Sequence, residues 1–201
     1  MPFEWKCPEF RNSGGCMRIR FLSGNPFKIE EATSILGQVG VEVIPVEFAL
    51  TELQTDDTVG LVRDKTLKAF HRLGHKVFVE QTGLFIDQMQ GLPGGLTQVF
   101  WDKLGPDRVC KLFGHGNEVG VTAKTRIGYC DGRDIHQFEG EIRGTFTPEP
   151  RGDRKFQWDC VFMPDGYDET FAEMGERKNE ISMRRRALDA LAAHLVHAAH
   201  A

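Results

Sequence analysis

The chain has 201 residues, of which 40% are hydrophobic and 27% charged, with a formal charge of −4. That balance belongs to a globular domain with a full core; the charge is too small for a nucleic-acid coat, and no apolar run approaches the roughly 20 residues that a membrane span needs. Five scattered cysteines, Cys7, Cys16, Cys110, Cys130 and Cys160, form no C-x-x-C pair, which argues against a disulfide framework or a zinc site and for a reducing, cytoplasmic setting.

Residues 1–16 show no periodicity and no leader-like basic and apolar stretches, so they read as an N-terminal extension to a domain over 17–201. Met17 to Leu22 is a short β-prone run. Asn25 and Pro26 then supply an N-cap and a first helical residue for a helix over 27–38, with Ile29, Ala32, Ile35 and Leu36 on its apolar face. A strand follows over 41–48, which Pro45 pushes toward a sheet edge. Helical spacing of Val59, Val62, Thr66, Ala69 and Phe70 predicts a helix over 57–74, stopped by Gly74.

Residues 76–80 read as a strand entering a turn at Gln81-Thr82-Gly83, with a second strand over Leu84 to Met89. Gly91 to Gly95 reads as a loop, and 106–112 as a short helix. Two longer strands, 121–132 and 134–146, form an antiparallel pair around Asp131-Gly132. A short apolar piece over 159–164 and an amphipathic helix over 182–199, with Ala187, Leu188, Leu191 and Leu195 on one face, close the chain. Strands, helices and an antiparallel pair in one chain imply an α/β fold with a mixed sheet.

Three constellations carry chemistry. Ser23-Gly24-Asn25, leading into a helix with Lys28 in its first turn, presents free backbone N–H groups, the positive helix end and an ammonium, which suits an anion. Glu80 ends a strand where open sheets place ligands, and Glu52 can join it as a second oxygen donor to magnesium, which takes one or two carboxylates plus phosphates. Phe156, Trp158 and Asp159 combine two aromatics with a polar edge, a platform for a flat heterocycle. Beyond them, Lys178 and Ser182 are one helical turn apart, and Arg184 offers a planar fork of donors.

In order, S-G-N-x-x-K-x-x-E, V-E-x-T-G-L, G-L-P-G, F-x-W-D and K-N-x-x-S-x-R resemble the motifs of the inosine triphosphatase family, pyrophosphatases for non-standard purine nucleoside triphosphates, across Met17 to Leu195. The resemblance implies an elongated mixed sheet with flanking helices, two lobes around a deep nucleotide cleft, and a homodimer. It implies magnesium as cofactor and dITP, ITP or XTP as ligand. By position, Ser23, Asn25, Lys28 and Lys178 would bind phosphate, and Glu52 and Glu80 the metal. Phe156, Trp158, Asp159, Ser182 and Arg184 would bind the base.

The departures from that pattern fall in the same site. Gln81 stands where the family has the aspartate that serves as base, and an amide cannot accept that proton. Gln98 replaces a basic residue, Met183 a histidine, and Gln157 and Cys160 a glycine and a proline. Kept base readers beside lost chemistry resemble the hydrolysis-impaired, nucleotide-sensing members in the bacterial Kongming anti-phage system. That resemblance implies a sirtuin-like NADase effector as partner. The alternative is an active dITP/ITP/XTP pyrophosphatase in which Asp87, Asp159 or another carboxylate acts as base.

Overall fold

The computed structural model describes residues 17–115 and 119–199, so the extension over 1–16 lies outside the described residues. Strand β1 (Met17–Leu22) buries Ile19 and Phe21 by alternation and runs into the Ser23–Asn25 turn. Helix α1 (Pro26–Gly37) starts as expected: the Asn25 side-chain oxygen accepts from the backbone N–H of Phe27 and Lys28, and Pro26 occupies the first turn. Strand β2 (Val41–Val46) pairs parallel to β1 and forms the sheet edge, where the missing N–H of Pro45 breaks no interior ladder. Helix α2 (Thr58–Leu73) is capped by Asp57 and ends on Gly74 at φ 65. Its buried face uses Leu61 and Val62, whereas Val59 is exposed.

The middle of the chain differs from expectation. Gln81-Thr82-Gly83 makes no turn; β3 (Val77–Ile86) is one continuous strand, paired antiparallel with β5 (Gly120–Cys130) from Val77↔Cys130 to Ile86↔Val121. Gly83 serves close approach instead, since a Cβ there would collide with the Gly94 carbonyl of β4 (Pro93–Gly94). That two-residue strand pairs with β3 inside the Gly91–Gly95 stretch expected to be pure loop. Helix α3 (Thr97–Phe113) begins at Thr97 rather than near Pro106, because a non-helical Gly105 at φ 65 joins two helical pieces and Pro106 starts the second.

Strand β6 (Ile135–Phe146) pairs with β5 across the Asp131 turn, where the Asp131 carboxylate accepts from the N–H of Arg133 and Asp134. Strand β7 (Phe162–Pro164) extends the sheet from β6. Two four-residue helices, α4 (Phe171–Met174) and α5 (Lys178–Ile181), lead to the terminal helix α6 (Met183–Ala199).

The result is a mixed α/β fold on a seven-stranded sheet of order β2-β1-β3-β5-β6-β7, with β4 on β3. Side chains from α1 and α6 bury Ile19, Phe21, Phe78 and Ile127 on one face; α2 covers Val77 and Val79 on the other. A further core under α3 gathers Leu84, Phe146, Trp158, Phe162 and Phe171. One consequence positions the site. Among the described residues, the edge of β3 that faces β1 is paired to it only at Val77 and Phe78, and to β4 only at Leu84 and Phe85. Between these, around Glu80 to Thr82, the sheet opens beside the end of β1, the kind of opening at strand ends where α/β sheets receive ligands.

Candidate functional site

A cleft of about 250 Å³ lies at that opening, lined by Ser23, Asn25, Lys28, Glu52, Glu80 and Gln157 among others. Ser23 and Asn25 hold the turn from within: the Ser23 hydroxyl accepts from the Asn25 N–H at 3.2 Å, and Asn25 Oδ1 accepts from Phe27 and Lys28 at 3.0 and 3.3 Å. An anion at this helix end therefore competes with the Asn25 side chain for the same N–H groups.

Lys28 reaches inward to Glu80, Nζ to Oε1 at 3.1 Å. Glu80 also receives Arg184 Nε at 3.1 and 3.0 Å on its two oxygens and the Thr82 hydroxyl at 3.0 Å. Arg184 NH1 in turn donates to Glu31 at 2.9 Å, and Ser182 donates to Glu31 while capping α6 through the Arg185 N–H. The knot is buried, with the Glu80 side chain 3% exposed. Burial opposes the Glu80 charge, but Arg184 and then Lys28 overcome it and hold the carboxyl down to about 2. Burial lowers the Lys28 pKa against the pull of Glu80. Arg184, although burial acts against its charge, is raised by Glu80 and Glu31.

The other carboxylate, Glu52, lines the same cleft and is tied to α2. Alternation places Gln81 with Val79 on the α2 side, away from Glu80. There Lys65 bridges the elements, pairing with Glu52 at 2.7 Å and donating to the Glu80 carbonyl at 3.4 Å. Among the described residues no three acidic, histidine or cysteine side chains gather as a metal-holding group. Glu52 and Glu80 thus fit a magnesium ion only as two oxygen donors whose shell phosphate and water complete. Asp87, one of the alternative bases, lies beyond the end of β3 and pairs with Arg143 at 2.6 Å, outside the cleft lining.

The aromatic segment divides. Trp158 is 2% exposed and packs against Phe162 and Phe171 in the core, so it does not present a face for stacking on a base as expected. Phe156 remains half-buried, with Lys178 Nζ 4.2 Å from its ring centroid. Lys178 bonds the buried Asp159 carboxylate, so the expected phosphate binder and the expected base reader neutralise one another. Burial raises the Asp159 pKa, and Lys178 opposes that shift.

Of the departures, Met183 and Cys160 are core residues, 4% and 0% exposed. Gln98 and Gln157 meet each other: Gln157 Nε2 donates to Gln98 Oε1 at 2.6 Å, with Gln157 held at φ 39, where a glycine would be unstrained. Sequence reasoning assigned no role to Glu31 and missed Lys65. The Glu31 signal was its place in the S-G-N-x-x-K-x-x-E run, whereas a lysine on an amphipathic helix carries no signal above a solvated charge.

The model of the Ham1 family matches residues 19–194. A dITP/XTP pyrophosphatase of Methanopyrus kandleri is 37% identical over 179 residues, covering 88% of this chain and 95% of its own. An inosine triphosphate pyrophosphatase of Yarrowia lipolytica is 38% identical over 179 residues, covering 87% and 94%. The structure of a HAM1 protein from Coxiella burnetii superposes with a TM-score of 0.78 at 23% identity, covering 90% of this chain and 99% of that one, so the fold is shared. Matched by the family model over most of its length and by relatives at 37–38% identity, the chain belongs to the Ham1 family.

Proposed function

We propose that the chain binds a non-standard purine nucleoside triphosphate, dITP, ITP or XTP, in the cleft between the Ser23–Lys28 turn and Glu52, and splits it slowly to a monophosphate and pyrophosphate. The observation that carries this reading is the helix end and Lys28 sharing one cleft with the carboxylates Glu47, Glu52 and Glu80, in a chain whose relatives bear dITP/XTP pyrophosphatase names. The Asn25 turn and Lys28 take phosphate oxygens. Glu52 and Glu80 hold magnesium, which when bound neutralises phosphate charge. Arg184, with Ser182 and Glu31 fixing it, donates to the purine carbonyl; an amino group in its place would leave that buried donor unpaired, which selects inosine and xanthine over adenine. Lys178 is drawn from Asp159 toward phosphate, freeing the carboxylate to read the base edge beside Phe156. The chain acts as a homodimer.

Gln81 favours a second reading. With an amide at position 81 in place of the family's aspartate, the attacking water lacks that base, a deficit of about 10² to 10⁴ in rate, and the chain then holds its nucleotide and signals to an effector such as a sirtuin-like NADase. Titration calorimetry with dITP, ITP and XTP against dATP in magnesium tests the shared core of both readings. Tighter binding of the first three supports it; equal binding of all four, or of none, contradicts it.

A further inference from the structure

Phe27 is the most exposed large apolar side chain among the described residues, at 64%, and belongs to no core cluster. A lone exposed ring needs no explanation by itself, but this one sits at a particular junction. Its backbone N–H is part of the anion turn, bonded to Asn25. Its ring meets Phe156 edge to face, with centroids 5.9 Å apart and planes at 87°. The other aromatic surfaces nearby are taken: Trp158 lies in the core, and Lys178 Nζ sits over Phe156. Helix α1 therefore presents, in one turn, N–H groups for phosphate and an uncovered aromatic face toward the segment expected to hold a base.

We propose that Phe27 is a base-contacting residue: the purine of a bound nucleotide lies against its exposed ring, with Phe156 as the adjoining wall. This rests on the nucleotide reading above. An aromatic face meets the π surface of any purine, so Phe27 adds affinity without selecting among bases, and discrimination stays with the polar groups. The contact also gains from geometry, because the ring is carried by the same helical turn that holds the phosphates.

The test compares Phe27→Ala and Phe27→Trp with the parent chain, using calorimetry with dITP and with inorganic tripolyphosphate, each with magnesium. Alanine favours the helix, and the ring supports no core, so both variants fold. The expected result is a roughly tenfold weaker dITP binding in Phe27→Ala, unchanged tripolyphosphate binding, and recovery of dITP binding in Phe27→Trp. Unchanged dITP binding in Phe27→Ala overturns the proposal alone, as does an equal loss for tripolyphosphate, which would place the ring's effect on the anion turn. A parent chain that binds tripolyphosphate but not dITP overturns the nucleotide reading and this proposal with it.

Discussion

Arg184 and Glu80, 104 positions apart in sequence, are joined through Arg184 Nε at 3.0 and 3.1 Å from the two carboxylate oxygens. The pair ties the first turn of α6 to the centre of β3, and Lys28 from α1 and Glu31 complete it. Three elements that form the site are thus locked by charge where, among the described residues, this edge of β3 has no strand partner. Removing one member leaves the others buried and uncompensated, which is why the knot bears on both stability and binding.

Glu80→Gln is expected to lower the unfolding free energy at pH 7 by about 3 kcal/mol, the usual scale for breaking a buried pair. The pH dependence has a definite sign. Because the folded carboxyl is depressed to about 2 from 4.5, its contribution is complete above about pH 4.5 and is lost as pH falls toward 2. Urea unfolding of parent and variant at pH 7 and pH 3 checks this: the gap between them narrows in acid. A gap that stays constant or widens contradicts the assignment.

Gln81→Asp places a carboxylate on the α2 side of β3, away from the Glu80 knot. Hydrolysis of dITP is expected to rise by roughly 10² or more, within the span general-base catalysis supplies, with little change in dITP affinity. Steady-state rates and calorimetry on the same preparations separate the two. No gain in rate would mean that Gln98 or Gln157 limits turnover instead.

Magnesium alone is expected to bind weakly, because Glu52 is paired with Lys65, Glu80 with Arg184 and Lys28, and no three acidic, histidine or cysteine side chains converge as a metal-holding group among the described residues. Phosphate oxygens complete the shell, so metal affinity rises when nucleotide is present. Manganese, a paramagnetic substitute, allows water-relaxation titration with and without dITP; tight binding to the nucleotide-free protein contradicts this dependence.

Much of the frame was legible from local chemistry. Asn25-Pro26, Gly74 and the Asp131 turn each set an element end through hydrogen bonds or φ values within a few residues. Position 83 misled, because a glycine that permits close approach of the Gly94 carbonyl is written the same way as one that turns the chain. Gly105 hid a helical piece by linking it to the next through a non-helical residue. In the site, single-residue chemistry pointed to Lys28, Glu52, Glu80 and Arg184. What sequence could not express was saturation: Arg184 bound by Glu31 and Glu80, Lys178 by Asp159, and Trp158 consumed by the core are products of tertiary packing.

Product analysis tests the central claim most directly. The protein is incubated with magnesium and dITP, and pyrophosphate, orthophosphate and nucleoside mono- and diphosphate are quantified over time beside a parallel reaction with dATP. The account predicts slow, equimolar release of pyrophosphate and dIMP from dITP, and far less from dATP. Orthophosphate with dIDP, equal turnover of dATP, or tight dITP binding with no pyrophosphate at all would contradict it.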